Sequence, residues 1–586
     1  MNKSQKLRGS GAGAGKTGLA GNARATTRSY SFSLSRSAIA RIWHDSSTLI
    51  FAALLTGCAS LDTVSPDADV PDPAAGVLTV SDGTTTTVVA AELRFSGEAT
   101  LEYPRGTLRT GTWVDGALHG LGTEATPTDH YTGQWHEGAR QGHGELEQLD
   151  GARYVGEFHA GLRQGIGTQT STGGVYRGAW AAGQRDGQGQ FNATDGTIYQ
   201  GQWVAGRRQG YGQATFASGG FYDGQWVQDN PHGFGRFVFP ANAMYQGEWV
   251  EGARQGYGTW HSPAGLSYEG TWHADERHGY GKETRPDGSH YAGDWNDGKK
   301  HGQGREVSPD GSSHAGTWHN DEILGAGNRT DRTGIIIAGS WQNGRVTQGS
   351  VTLPSQQRFE GEMFSTDGAR ATAALTAWLL ELAQASDPHA QYLLATVQLD
   401  FTEDSPEQPA AQVWMRKAAT AGIAQAQYRL ALLLLEEDVG ASLEWLARAA
   451  DQHHPNANEM LGEYFHTGLY LPQDYRAAIG HYERASANGS IAAANNLAWL
   501  LATTAREEIA DPQRALELIR PFVLYLGGWQ YLDTLAAAHA RLGEREIAQR
   551  LQSRAVIEAR SLASERTLDE MSARLELYRK DQAYVE

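Results

Sequence analysis

Tyr131-Thr-Gly133-Gln-Trp135-His-Glu-Gly138-Ala-Arg140-Gln-Gly142-His-Gly144 decides the fold, because its pattern returns every 22 or 23 residues. A strict repeat of that length specifies an elongated array built from one small unit. In a strand, residues at i, i+2 and i+4 share a face. Tyr131, Gly133 and Trp135 therefore point one way, two rings flanking bare backbone. A short turn at Glu137, Gly138 and Ala139 leads to a second strand, whose Gly142 and Gly144 are expected to share a face. Rings on one strand can then lie over the glycine backbone of its neighbour. Each unit thus reads as a hairpin, and Gly151, Gly196, Gly288 and Gly311 mark the turn to the next.

The same positions recur as Tyr154 and Phe158, Tyr176 and Trp180, Tyr199 and Trp203, Tyr222 and Trp226, Tyr245 and Trp249, Tyr268 and Trp272, and Tyr291 and Trp295. These rings are the expected core of a single-layer antiparallel sheet. The pattern accounts for 72 glycines in 586 residues, well above the usual ~7%. Two strands per unit give ~10 Å per repeat, so the array should run roughly 100 Å.

These residues resemble the MORN repeat family, over about 93–365. The match runs from Gly111-Thr-Trp113 to Tyr291-Ala-Gly-Asp-Trp295. His314-Ala-Gly-Thr-Trp318 and Ile337-Ala-Gly-Ser-Trp341 are degenerate, and Phe359-Glu-Gly361-Glu-Met363 looks like a final half-repeat. From about Ala371 glycine thins out and alanine and leucine take helical spacing. Ala411-Gln-Val-Trp414-Met-Arg-Lys-Ala418-Ala-Thr-Ala-Gly422 resembles the Sel-like subclass of tetratricopeptide repeats. Trp445 to Ala450 and Tyr482 to Gly489 occupy equivalent places. Asn495 to Thr503 and Leu532 to Gly543 look like ordinary tetratricopeptide repeats. The resemblance implies an α-solenoid of paired helices presenting a groove for peptides or partner domains.

The N-terminus reads as an address. Basic residues from Lys3 to Arg41 precede an apolar run, Leu49 to Leu55, too short to span a bilayer but suited to a signal peptide. Leu55-Thr56-Gly57-Cys58 then resembles the lipobox of bacterial lipoproteins, which implies cleavage before Cys58 and a diacylglycerol on its thiol. Ala59 resembles the signal for the outer membrane, facing the periplasm. No second cysteine exists, so disulfides contribute nothing.

The expected organisation is therefore a signal peptide at 1–57 with a long basic leading segment, a flexible tether at 58–92 and the array at 93–365. A linker and first helix follow at 366–384, helical repeats at 385–560 and a helical tail at 561–586.

No catalytic constellation accompanies these elements. His119, His232, His278 and His301 share one repeat position with Gln141, Gln164, Gln209 and Gln255. A position alternating between Gln and His calls for a side-chain hydrogen bond, not a metal or a base. No His-Glu-x-x-His or Gly-x-Ser-x-Gly occurs. Gly11 to Thr17 lacks the first glycine of a phosphate-binding loop, since Ser10 stands there. The expectation is no catalytic residue, metal or cofactor.

One further periodicity has two readings. A cation follows five residues after the anchor ring: Arg140, Arg163, Arg185, Arg208, Arg254, Arg277 and Lys300, with Pro231 interrupting. Stacked ~10 Å apart, these could act together on anionic lipid headgroups or a polyanionic polysaccharide. Against that stands the net charge of −18, with Glu and Asp interleaved through the array. The competing reading is a solvated edge with local ion pairs, each worth ~0–1 kcal/mol. The same acidity disfavours nucleic acid. The expected function is a non-enzymatic, lipid-anchored scaffold whose helical groove binds other proteins. Direct binding of anionic phospholipid or polysaccharide through the array is the alternative.

Overall fold

Aromatic–glycine alternation produces one continuous antiparallel meander. The computed structural model describes residues 75–89, 93–342, 344–364, 371–399 and 408–586. From Gly97–Glu102 to Arg358–Glu362, every strand pairs with the next in sequence. The protein is a single-layer β-hairpin array followed by an α-solenoid of helix pairs.

Hairpin geometry follows from two turn types. The first is a two-residue turn, exemplified by Glu137 and Gly138 at φ 50° and 79°, closed by the His136–Ala139 pair. Both residues left-handed is the turn whose twist matches the flanking strands. The second spans Gln148 to Ala152, where the Gly151 N–H donates to Gln148 O at 2.9 Å.

One expectation is corrected. Gly142 does not simply share a strand face with Gly144. Gly133 pairs with Gly144 and Trp135 with Arg140, so Gln134 alone faces Gln141, Gly142 and His143 in a bulge. Gly142 sits there at φ 65°, a conformation glycine adopts without steric cost. The two glycines of Gly-x-Gly thus do different work. The second is the one a ring covers: a Cβ on Gly212 would lie 2.4 Å from the Tyr199 hydroxyl oxygen.

The rings form an unbroken ladder. Tyr199 meets Trp203 edge-to-face at 5.2 Å and Trp226 of the next hairpin at 5.3 Å. The same double contact recurs from Tyr131 to Tyr291. Edge-to-face pairs add ~0.5–1.5 kcal/mol beyond burial. Polar tips are satisfied mid-array, where the Tyr199 hydroxyl donates to Gln202 O at 2.9 Å and the Trp226 indole to Gly212 O at 3.0 Å, whereas the buried Trp135 indole N–H has no partner.

A second correction concerns the tether assigned to 58–92. Ala75–Val80 and Thr85–Val89 are strands, paired with each other and, through the former, with Gly97–Glu102. Their β-branched residues favour strand, and Leu78 is buried beside Leu101 and Ala99. Ala75–Val80 thus covers the first edge of the array, and Thr85–Val89 becomes the new edge with Thr85, Thr86 and Thr87 exposed.

At the other end, Phe359 packs on Trp378 at 5.6 Å, so helix Ala373–Gln384 covers the last strand. Eleven further helices follow among the described residues, ending with Glu565–Arg579. An amide clamp recurs across the first three helix pairs. Gln391 donates to Ala383 O at 3.0 Å, Gln427 to Ala419 O at 3.1 Å and Asn458 to Ala450 O at 3.0 Å. The final helix is tied down by a buried pair, Arg574 to Asp533 at 2.7 Å.

The helical half returns along the turn edge of the array. Arg332 donates to His453 O at 2.8 Å. Gly489 lies so close to Pro309 that a Cβ there would fall 2.0 Å from the proline side chain. Tyr525 lies in the field of Arg285, Glu283 and Asp287, and burial pushes its phenol up to about 12.

Candidate functional site

The seven cations of the ladder fall in one row, but they face inward. Each lies between the tyrosine of its own hairpin and, in most units, the tryptophan of the next. Arg208 is 5.7 Å from the Tyr199 centroid and 4.5 Å from that of Trp226. Arg163, Arg254 and Arg277 lie 4.4, 4.3 and 4.1 Å from Trp180, Trp272 and Trp295. Lys300 is 4.8 Å from Trp318, Arg185 is 5.4 Å from Trp203, and Arg140 sits 4.9 Å from Tyr131. The local ion pairs of the second reading form, but its solvated edge does not. The cations are half-buried or buried seals on the aromatic core, not a solvated edge.

Their charges are also engaged. Arg140 and Arg109 share Glu124, which is only 1% exposed. Burial alone would raise the Glu124 carboxyl, but the two guanidinium groups outweigh it and hold it below its ordinary value. Arg185 donates to Gln169 Oε1 at 3.1 Å and Arg163 to Gly183 O at 2.9 Å. Arg277 pairs with Glu283, and Lys300 with Glu306 at 2.5 Å. Arg285 joins both carboxylates, at 3.0 and 2.8 Å.

Two kinds of partner were missed by sequence reasoning. Asp229, Asp275 and Asp321 replace the second turn glycine and sit at φ 69°, 70° and 72°. Each carboxylate accepts from the backbone N–H of a ladder cation one repeat earlier, at 2.9, 3.0 and 2.9 Å. The 46-residue spacing of those aspartates was the available signal. The residue before each anchor ring likewise covers the bulge: Gln202 Oε1 accepts from Tyr211 N–H at 3.2 Å.

The alternating Gln/His position makes the expected hydrogen bond where it holds Gln, while the buried Nδ1 atoms of His278 and His301 have no hydrogen-bond partner. Gln141, Gln164, Gln209 and Gln255 accept from the first turn residue of the next hairpin, at 3.1, 3.1, 3.2 and 3.0 Å. His119, His278 and His301 meet another imidazole instead, His301 and His319 at 4.9 Å. Among the described residues no group of three or more His, Cys, Asp and Glu is placed to hold a metal, and no helix is long and apolar enough to cross a membrane. Cys58 and the segment around it lie outside the described residues.

On the solenoid, the inner helices frame a groove of about 500 Å³ lined by Leu399, Gln425, Tyr428, Arg429, Leu432, Leu433 and Asn456. Its wall is mainly apolar, with Gln425, Asn456 and Arg429 as polar members. Behind it His454 stacks on Tyr428 at 4.6 Å and bonds Gln425 at 2.8 Å.

Comparison with protein families matches the MORN repeat at residues 110–128, 131–153, 154–175, 176–198, 199–221, 222–244, 245–267, 268–290 and 291–313. The Sel1 repeat matches at 388–423, 424–454 and 455–490. Comparison with curated proteins finds no match. Among solved structures, a Sel1 repeat protein from Oxalobacter formigenes is similar at 20% identity, covering 31% of this chain and 79% of its own, with a TM-score of 0.28. A protective antigen of uropathogenic Escherichia coli strains displaying an SLR fold is similar at 21% identity, covering 36% and 48%, with a TM-score of 0.26. An immunity protein from Pseudomonas aeruginosa is similar at 15% identity, covering 37% and 80%, with a TM-score of 0.19. Nine hairpins of one family and three helix pairs of the other make this chain a MORN-repeat protein with C-terminal Sel1 repeats.

Proposed function

We propose that the chain is a non-enzymatic scaffold, held at the outer membrane by lipid on Cys58 and facing the periplasm, that recruits a protein partner through its Sel1 repeats. The observation that carries this is the open groove on the inner helices, where Leu432 stays 40% exposed beside Leu399 and Leu433. An apolar trough that includes the Gln425 and Asn456 amides suits an extended or helical peptide, whose backbone needs polar partners. The Leu-Thr-Gly-Cys sequence before Ala59 supports the anchor and the compartment. The ladder cations do not support the alternative of anionic-ligand binding, because rings and carboxylates already engage them.

The test is affinity purification after in-cell cross-linking from detergent-solubilised membranes, with two variants of the full chain. Leu432→Glu should lose a defined protein set while remaining in the membrane fraction. Cys58→Ser should leave the membrane fraction. Recovery of the same proteins with Leu432→Glu would refute the groove as the docking site. Retention of Cys58→Ser in salt-washed membranes would refute the anchor.

A further inference from the structure

The middle residue of Gly-x-Gly points away from the aromatic core, onto the open face of the sheet. In most repeats it is Leu121, His143, Ile166, Gln188, Gln303 or Ala326, so the fold asks for no particular side chain there. In four consecutive repeats it is a ring: Tyr211, Phe234, Tyr257 and Tyr280. These stay 55%, 56%, 52% and 66% exposed, against 4% or less for the core tyrosines and tryptophans of the same hairpins apart from Trp272 at 6%. They follow one another at ~10 Å, two strand spacings apart.

Two of the four are held in place. The Tyr211 hydroxyl donates to Asp223 and the Tyr257 hydroxyl to Glu269 at 2.7 Å, each on the adjacent strand. A ring whose tip reaches the neighbouring strand leans along the sheet and turns one face outward. Amides surround the first of them: Gln200 pairs across to Gln213, Gln213 to Asp223, and Tyr211 to Gln225. The carboxylates here serve the face itself. Besides Asp223 and Glu269, Glu248 accepts from Tyr257 N–H at 3.3 Å and Asp294 from Gln303 N–H at 2.9 Å. Two exposed cations share this face, Arg236 and Lys282, each two residues on from a ring, at Phe234 and Tyr280, and Arg236 pairs across to Asp223. Asp223, Glu248, Glu269 and Asp294 outnumber them, so ring faces and amides are offered outward without a net positive field for a polyanion.

We propose that Tyr211, Phe234, Tyr257 and Tyr280 form a binding platform for a neutral, β-linked polysaccharide lying along the array axis. Such a chain offers an apolar C–H face for each ring and hydroxyls for the amides. Its extended form repeats about every two hexoses, close to the ~10 Å interval of the rings. A ligand with its own translational repeat engages all four rings in register, and affinity grows with the number engaged. The site is separate from the helical groove and does not rest on the scaffold reading.

The experiment is affinity electrophoresis of the full chain in gels containing hydroxyethyl cellulose, with calorimetry on cellohexaose and cellobiose. The wild type should be retarded, and cellohexaose should bind at least about tenfold tighter than cellobiose. Tyr257→Ala should weaken binding roughly tenfold, and the fourfold alanine variant should abolish it. The thermal transition should be unchanged in both variants, since these rings lie outside the core. An unretarded wild type, retention in the fourfold variant, or equal affinity for the two oligosaccharides would overturn the proposal. So would preferential binding of polygalacturonate or of poly-lysine, which would make the face a polyanion site or a docking surface for basic protein segments.

Discussion

A single methyl group tests the central packing idea. Gly212 is where the Tyr199 ring crosses the sheet, and a Cβ there would meet Cζ at 2.6 Å as well as the hydroxyl. Both are anchored, so neither yields cheaply. Gly212→Ala should destabilise the array by ~1–3 kcal/mol, the usual cost of overpacking, in a denaturant titration followed by tryptophan fluorescence. An unchanged midpoint would mean that the ring does not need bare backbone. His454 provides a second test, in the helices. Burial, and then the nearby Arg332 guanidinium, push its imidazole from 6.5 down to about 3. The unfolded chain therefore takes up a proton that the folded chain refuses. The contribution of His454 is complete above pH 6.5 and is withdrawn as pH falls towards 3. Between those limits, acidification to about pH 5 should cost the solenoid ~2 kcal/mol. The helical transition of the wild type should drop accordingly, and that of His454→Gln should drop less. Equal drops would assign the acid sensitivity to other groups.

At the scale of the element, the strained turns separate two kinds of contribution. Asp275 holds φ 70° where other repeats place glycine. It is kept there by hydrogen bonds to Arg254 N–H and Nε at 3.0 and 2.9 Å. Asp275→Gly removes the bonds but relieves the backbone, whereas Asp275→Ala removes the bonds and keeps the strain. The alanine variant should therefore be the less stable of the two by ~1 kcal/mol in the same titration. The reverse order would show that the carboxylate, not the conformation, dominates. These turns also mark what the sequence could convey. Rings, hairpins and the Sel1 helices were legible because each obeys a short period carried by large or helix-forming side chains. The destination of the ladder cations was not. Arg208 reaches Trp226, 18 residues ahead, and that contact depends on a cross-strand register of Gly210 with Trp226 set by a bulge no local pattern announces. The row of open-face rings was hidden for a related reason. Its position inside Gly-x-Gly reads as a variable site until the bulge fixes which way it points. The strands at 75–89 were missed because they belong to no repeat.

Across the whole molecule, the two solenoids are joined twice, and this changes how damage should spread. One core runs from the array into the first helices, where Met363, Leu375 and Leu379 are fully buried. The second junction is lateral, at residues 285, 309 and 332 of the array against 525, 489 and 453 of the helices. Independent repeat blocks would melt separately. A repeat array transmits perturbation mainly to nearest neighbours, so coupling should depend on distance from these contacts. Trp318→Ala and Trp135→Ala both delete a buried core ring, a loss of ~3–5 kcal/mol at the site. Trp318 lies between the turns that carry Pro309 and Arg332, while Trp135 belongs to a repeat remote from them. Trp318→Ala should therefore lower the helical transition, read by far-ultraviolet circular dichroism. Trp135→Ala should leave that transition in place and lower only the tryptophan signal of the early repeats. If both variants shifted the helical signal equally, the array would unfold as one cooperative block. If neither did, the lateral contacts would contribute nothing to stability, and the helical half would be free to swing away from the sheet when it takes a partner.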